Sequence, residues 1–194
     1  MPQLGNLRAE SRSVVALEAT RRLVPMLYQL EHHVDSKLVE VPCEEALQFY
    51  VTKGLVFGRV YGHVAGLVFR LEEVSGRPHV ETALRAAFHA TLSACSDIHA
   101  YHIEAAGGEG PTFDCYLAEA SPEDPQLAVE YACASERGLL ADLQGVPGGD
   151  VLPIAEWVPL AVDELKRQDV RIDTWIRAQP GLPVPYPFRR QVPA

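Results

Sequence analysis

The sequence predicts a mixed α+β domain in which N-terminal helices pack on a C-terminal antiparallel sheet of about four strands, with one further helix. Three observations lead to this prediction. Apolar residues recur at helical spacing over the first half of the chain, a period of two replaces that spacing from about residue 98, and prolines crowd residues 179–194. The 194 residues fit one domain over 1–178, followed by a proline-rich tail over 179–194.

The first half of the chain is predicted to hold three helical segments. The first covers residues 13–34 and contains Pro25, which removes a backbone donor and therefore kinks the helix or begins a second one. Proline suits the first position of a helix, and this preference places the other two segments at 42–73 and 78–97.

A glycine pattern lies within the second of these segments. It consists of four glycines at every fourth position: Gly54, Gly58, Gly62 and Gly66. On a helix they form one bare stripe, and each glycine costs about 1 kcal/mol relative to alanine. Close packing of another helix would compensate for that cost. A ligand pressed against Gly58 and Gly62 is an alternative, as is a β-hairpin turning near residue 63, so the sequence leaves residues 55–69 as helix or hairpin.

The second half alternates between apolar and polar residues, as half-buried antiparallel strands do. Four strands are predicted, over residues 98–105, 112–119, 126–134 and 169–177. The first two would pair across the glycine-rich turn at residues 107–110. A loop over residues 145–153 and an amphipathic helix that begins at Ile154 or Pro159 separate the last two strands.

The tail has four prolines within eight residues of chain and is expected to be extended, as polyproline segments are. It forms either a strap packed on its own domain or a segment that docks onto a partner. The residues expected to meet that partner are Pro183, Pro185, Tyr186 and Phe188.

Composition narrows the classes of partner and compartment. A net charge of −9 and a pI near 5.2 argue against a surface that follows nucleic-acid phosphates. The apolar stretch 55–69 is too short for a transmembrane helix and contains Arg59 and His63. The N-terminus lacks the apolar region of a signal peptide, so a cytoplasmic protein with four reduced thiols is expected.

Candidate chemistry is confined to one pair of histidines. His99 and His102 precede Glu104, and two histidines with one carboxylate can ligate a metal ion. The sequence has no H-E-x-x-H, nucleophile-elbow, Walker A or dinucleotide-binding motif. No catalytic residue is therefore predicted, and a metal-dependent enzyme that uses His99, His102 and Glu104 is the third hypothesis for function.

Two stretches carry a resemblance to a known superfamily. KGLVFGRVYGHVAGLVF (53–69) looks like the glycine-punctuated second helix of 4-vinyl reductase domains and of TRAPP vesicle-tethering subunits. PTFDC (111–115) and LAVEYACASERGLL (127–140) look like the strand region of H-NOX haem domains.

The H-NOX side of the resemblance implies a haem site with a proximal histidine and a Tyr-x-Ser-x-Arg motif. His99 or His102 would be the axial ligand, and Arg137 would bind a propionate. The Ser-x-Arg part is present, but Cys133 occupies the position of the tyrosine and Tyr131 lies two residues earlier. The ligand-binding candidates are therefore the residues His99, His102, Tyr131, Arg137, Gly58 and Gly62.

The leading hypothesis is a non-enzymatic regulatory or assembly module that acts through a protein interface and forms a homodimer. The lack of catalytic signatures, the glycine pattern and the proline-rich tail all favour it. A small-molecule or haem sensor is the second hypothesis.

Overall fold

The computed structural model describes residues 3–54, 56–107, 119–167, 170–180, 182 and 185–190. These residues form eight α-helices: α1 Ala9–Arg21, α2 Val24–Gln29, α3 His33–Thr52, α4 Phe57–Glu73, α5 Pro78–Ala105, α6 Asp124–Asp142, α7 Ile154–Leu165 and α8 Ile172–Ala178. They also form a two-stranded antiparallel sheet of β1 Gly145–Pro147 and β2 Phe188–Arg190, in which Val146 lies opposite Arg189.

The core is built around α5, which packs most extensively on α6 and also contacts α1, α3 and α4. Its buried face is rich in alanine, including Ala83, Ala87 and Ala90, and α6 presents Ala128 and Ala132 from its own buried face. Small side chains let two helix axes approach closely, so α5 and α6 form a tight seam.

The predicted sheet of about four strands is wrong, because three of its strands are helical. Residues 98–105 are the end of α5, residues 126–134 lie within α6, and residues 172–177 of the last predicted strand lie within α8. Residues 112–118 of the remaining predicted strand, like 108–110 of the predicted turn, fall outside the described residues.

The residues of α6 show why the alternation of apolar and polar residues led to the wrong prediction of a strand. Val129 and Cys133 fit a strand with every second residue buried, but Ala128, Ala132 and Glu136 are buried as well. Burial at i, i+1, i+4, i+5 and i+8 is the pattern of a helix face.

The last predicted strand failed for the same reason. Trp175, expected on its polar side, is buried in α8 and donates a hydrogen bond from Nε1 to Glu164 Oε2 over 2.8 Å. Half-buried Ile172 and Ile176 lie three residues before it and one after it, which is helical spacing.

Two of the predicted helix starts are confirmed and one is wrong. Pro25 lies in the first turn of α2, and Pro78 begins α5. Pro42 lies inside α3, which begins nine residues earlier at His33. The predicted segment 42–73 is also divided, because Lys53 adopts a left-handed backbone (φ 53°) that ends α3.

The structure also tests the predictions for residues 145–165. The amphipathic helix α7 begins at Ile154, the earlier of the two predicted starts, and Pro159 lies inside it. Part of the predicted loop 145–153 is the strand β1.

Cys43, Cys95 and Cys133 are buried and unpaired, and Cys115 falls outside the described residues. Among the helices of the described ranges, none has the length and apolar character needed to cross a membrane.

Candidate protein interface on α4

The helix α4 has one core face and one solvent face. Val60, Val64 and Leu67 are fully buried at spacings of four and three residues, which places them on one side of the helix. The opposite side carries Gly58, Gly62 and Phe69, all of which are exposed. Residues 57–69 are therefore helical rather than a hairpin, and the glycines point away from the protein core.

The glycines of α4 face open space. A Cβ atom built on Gly58, Gly62 or Gly66 would meet no atom within 4 Å among the described residues. The close packing expected at this stripe is therefore not found within the described part of the chain. Gly54 is not part of the helix, and a Cβ there would lie 3.3 Å from Thr52 Oγ1.

Large apolar side chains are exposed at the C-terminal end of the same face. Phe69 is 64% exposed, and Val34, at the start of α3, is 67% exposed. The residues that follow them in the sequence, Arg70 and Asp35, are hydrogen-bonded to each other: Arg70 Nε donates to Asp35 Oδ1 over 2.9 Å. Arg70 thus fixes the end of α4 beside the start of α3, where Val34 lies.

The Arg70–Asp35 ion pair is itself partly buried. Asp35 is 2% exposed and also lies 3.6 Å from Arg77. The hydrogen bond with Asp35 raises the pKa of Arg70. The pair therefore connects this end of α4 to the start of α3 through a buried carboxylate.

Two exposed charges near the ends of α4, Arg59 and Glu73, oppose the dipole of the helix, whereas Arg70 in the last turn favours it. Arg59 lies near the N-terminus with its side chain 65% exposed, and Glu73 is the last residue with its side chain 71% exposed. Cations stabilise the C-terminal end of a helix and anions stabilise the N-terminal end. Within the chain, Arg59 has Glu45 at 3.5 Å and Glu73 has Arg70 at 3.4 Å.

The predicted histidines lie on the last turns of α5. The His99 ring is 5.3 Å from the Phe57 ring, measured between centroids, and His102 is 6.1 Å from Phe49. Nε2 of His102 is buried and has no hydrogen-bond partner among the described residues. No group of three or more His, Cys, Asp or Glu side chains in the described ranges is arranged to hold a metal ion, and His99, His102 and Glu104 all lie in those ranges.

The structure does not bring Arg137 together with the two histidines. Ser135 Oγ donates to the His79 carbonyl over 2.8 Å, and His89 Nδ1 lies 2.7 Å from Asp124 Oδ1. These contacts show that α5 and α6 run antiparallel, so Arg137 lies beside the start of α5. Twenty helical residues separate that end from His99, a distance of about 30 Å. One haem cannot contact both, and the implied haem site does not fit these residues.

The other candidates lie in different environments. Tyr131 stacks on His89 with the two rings 10° from parallel and their centroids 5.5 Å apart. In the tail, Pro185 is exposed, Tyr186 is buried and Phe188 begins β2. Pro183 falls outside the described residues. The burial of Tyr186 and the pairing of β2 with β1 attach this part of the tail to its own domain.

Three residues of the α4 surface were missed by the sequence reasoning: Arg59, Phe69 and Glu73. A signal for Phe69 was present, because the buried Val60, Val64 and Leu67 define a core face from which Phe69 points away. For Arg59 and Glu73, the signal was their unfavourable position on the helix dipole.

Comparisons with known proteins return no match: no family model, no curated protein and no solved structure resembles the chain to a significant degree.

Proposed function

We propose that this protein is a non-enzymatic assembly module that forms a two-fold symmetric homodimer through the solvent face of α4. The observation that carries the proposal is that exposed Phe69 lies on the same helix face as Gly58 and Gly62, where a Cβ atom would meet no described residue within 4 Å. An exposed aromatic ring and an exposed groove of glycines on one surface are complementary to each other in two copies.

An antiparallel pair of α4 helices satisfies this complementarity. In a two-fold dimer, residue i of one copy contacts residue j of the other, and j contacts i. With the axis near Gly66, Phe69 of each copy lies over the segment 62–66 of the other. The glycines then allow close approach of the two backbones, as small residues do at other helix pairs.

The charges support the antiparallel direction. The same axis places Arg59 of one copy beside Glu73 of the other. Each charge then lies near the helix end that favours it, because the dipoles of antiparallel helices are opposed. A parallel pair would place Arg59 beside Arg59 and Glu73 beside Glu73.

The solvent face of α4 is large enough for a stable interface only if adjoining exposed residues contribute to it. α4 has 17 residues and is about 25 Å long. Stable interfaces bury roughly 800 Å² on each partner, more than one helix face of this length supplies. Exposed Val34 extends the patch beyond the end of α4. A relation to TRAPP-type and 4-vinyl reductase domains, inferred from residues 53–69, belongs to the same proposal.

Analytical ultracentrifugation over a range of concentrations tests the proposal. The wild-type chain of 21.3 kDa should sediment as a dimer, and Phe69→Glu should raise the dissociation constant at least about tenfold. Gly62→Leu should do the same while leaving the monomer folded, because Gly62 is exposed and a Cβ atom there meets no described residue within 4 Å. Leu160→Glu is the matched control, since Leu160 is 53% exposed on α7, away from this face.

Charge reversal tests the direction of the pair. Arg59→Glu and Glu73→Arg should each weaken the dimer, and the double variant should recover part of the loss. A wild-type chain that stays monomeric at every concentration contradicts the proposal. A dimer that is equally sensitive to Leu160→Glu and Phe69→Glu contradicts it as well.

A further inference from the structure

A buried polar network joins α1, α3 and α5. Tyr50 donates a hydrogen bond from its hydroxyl to Asp97 Oδ2 over 2.7 Å, and Ser13 Oγ donates to the same oxygen over 2.7 Å. Ser93 Oγ lies 2.7 Å from Ser13 Oγ. Two donors thus hold the Asp97 carboxylate in one orientation, and its Oδ1 accepts no hydrogen bond from the described residues.

The environment of Asp97 disfavours its charged form. Burial raises the pKa of Asp97, and the hydrogen bonds from Tyr50 and Ser13 counteract this only in part. Burial likewise raises the pKa of Tyr50 well above its usual value, so the phenol remains a donor. A cation placed at Oδ1 would compensate for the desolvation of the carboxylate.

Asp97 opens onto a cleft of about 260 Å³ between α1, α5 and the turn before α6. Ser13, Ser93 and Ser121 contribute hydroxyl groups to its wall, and Pro122 contributes an apolar surface. The cleft is smaller than the roughly 300–1,000 Å³ pockets of drug-sized ligands. It therefore suits a molecule with few heavy atoms.

Arg12 lines the same cleft and lacks a partner for a buried donor. Its Nε atom is buried and makes no hydrogen bond within the part of the chain that the structure describes. Its positive charge lowers the pKa of Asp97, yet the two side chains form no direct ion pair. Arg12 as a whole is only half-buried, so a ligand carboxylate could pair with the accessible part of its guanidinium group.

We propose that this cleft binds a small zwitterion of the α-amino-acid class. Arg12 would bind the ligand carboxylate, Asp97 Oδ1 would accept from its ammonium group, and the serine hydroxyls would complete the polar contacts. A ligand with only a negative charge would pair with Arg12 but lie beside the Asp97 carboxylate. A ligand with only a positive charge would pair with Asp97 but leave the Arg12 guanidinium without an anion. A neutral polyol would compensate neither charge.

Isothermal titration calorimetry on the full chain tests the ligand class. The common L-amino acids are titrated first, and the best of them is compared with its amide, which lacks the carboxylate charge, and its N-acetyl form, which lacks the ammonium. Each analogue should bind at least about tenfold more weakly, since each loses one charge-assisted contact. If no amino acid binds at millimolar concentration, or if glycerol or acetate binds equally well, the proposal is overturned.

Two variants test which charged group of the ligand each residue contacts. Arg12→Gln should weaken binding of the zwitterion at least about tenfold but should not weaken binding of its amide further. Asp97→Asn should likewise weaken binding of the zwitterion, but it should not weaken binding of the N-acetyl form further. If Asp97→Asn fails to fold, Arg12→Gln decides alone, because Arg12 is only half-buried. Arg8→Gln, at an exposed arginine just before α1, is the matched control and should bind as the wild type does.

Discussion

Gly138 and Gly62 both lie inside helices, yet their surroundings are opposite. A Cβ atom on Gly138 would collide with the ring of His79, because α6 lies directly against α5 there. A Cβ atom on Gly62 would meet no atom of the described residues within 4 Å. At Gly138 the glycine is required by packing within the chain. At Gly62 the described residues supply no such requirement, so a reason for the glycine is expected outside the described part of the chain.

The largest expected change in stability comes from adding a side chain at Gly138, where α6 packs on α5. Gly138→Ala should lower the free energy of unfolding by about 1–3 kcal/mol, because the new methyl group overpacks the contact with His79. Urea denaturation measures the change. The double variant with His79→Ala should recover part of the loss. Equal stability of Gly138→Ala and the wild type would show that the seam has room to relax.

The next effect concerns Glu136, which lies on the same helix as Gly138. It is buried, it accepts the Ile154 amide over 2.8 Å, and Arg22, Arg137 and Glu156 are the charged groups that act on it. Burial raises the pKa of Glu136 to about 7 from an ordinary value of 4.5. The stability contributed by this raised pKa is fully present below pH 4.5 and is lost as the pH rises through about 7.

Glu136→Gln keeps an acceptor for the Ile154 amide and removes the titration. The decrease in unfolding free energy between pH 5 and pH 8 should therefore be smaller in this variant by roughly 1–2 kcal/mol. Glu18 and Asp97 also have raised pKa values, so part of the decrease should remain. Glu130→Gln, at an exposed glutamate of α6, is the control, and an equal change in both variants would contradict the assignment.

The smallest effect is expected on the open face. Gly62→Ala should raise the free energy of unfolding by up to about 1 kcal/mol, because alanine has the higher helix propensity and its methyl group meets none of the described residues within 4 Å. The measurement belongs at a protein concentration at which the monomer predominates, since dimerisation adds stability of its own. A loss of stability in the monomer would show that another part of the same chain covers this face.

Sequence reasoning located part of the candidate interface. The glycines of α4 drew attention to the right helix, and the helical alternative for residues 57–69 is the one found. It did not find Phe69, Arg59 or Glu73, because the orientation of α4 on the core was not yet fixed. It also could not find the polar cleft, since Ser13 and Asp97 are 84 residues apart and meet only when α1 packs on α5.

The sequence by itself determined the local features that depend on one residue or one helix turn. Proline geometry placed the starts of α2 and α5, and the apolar spacing of residues 154–165 defined α7. Only the tertiary structure decided the fold class. Around Val129 the same residues fit both a strand and a helix, and burial of small side chains against α5 selects the helix. Local periodicity is ambiguous where both patterns coexist, and the packing partner resolves it.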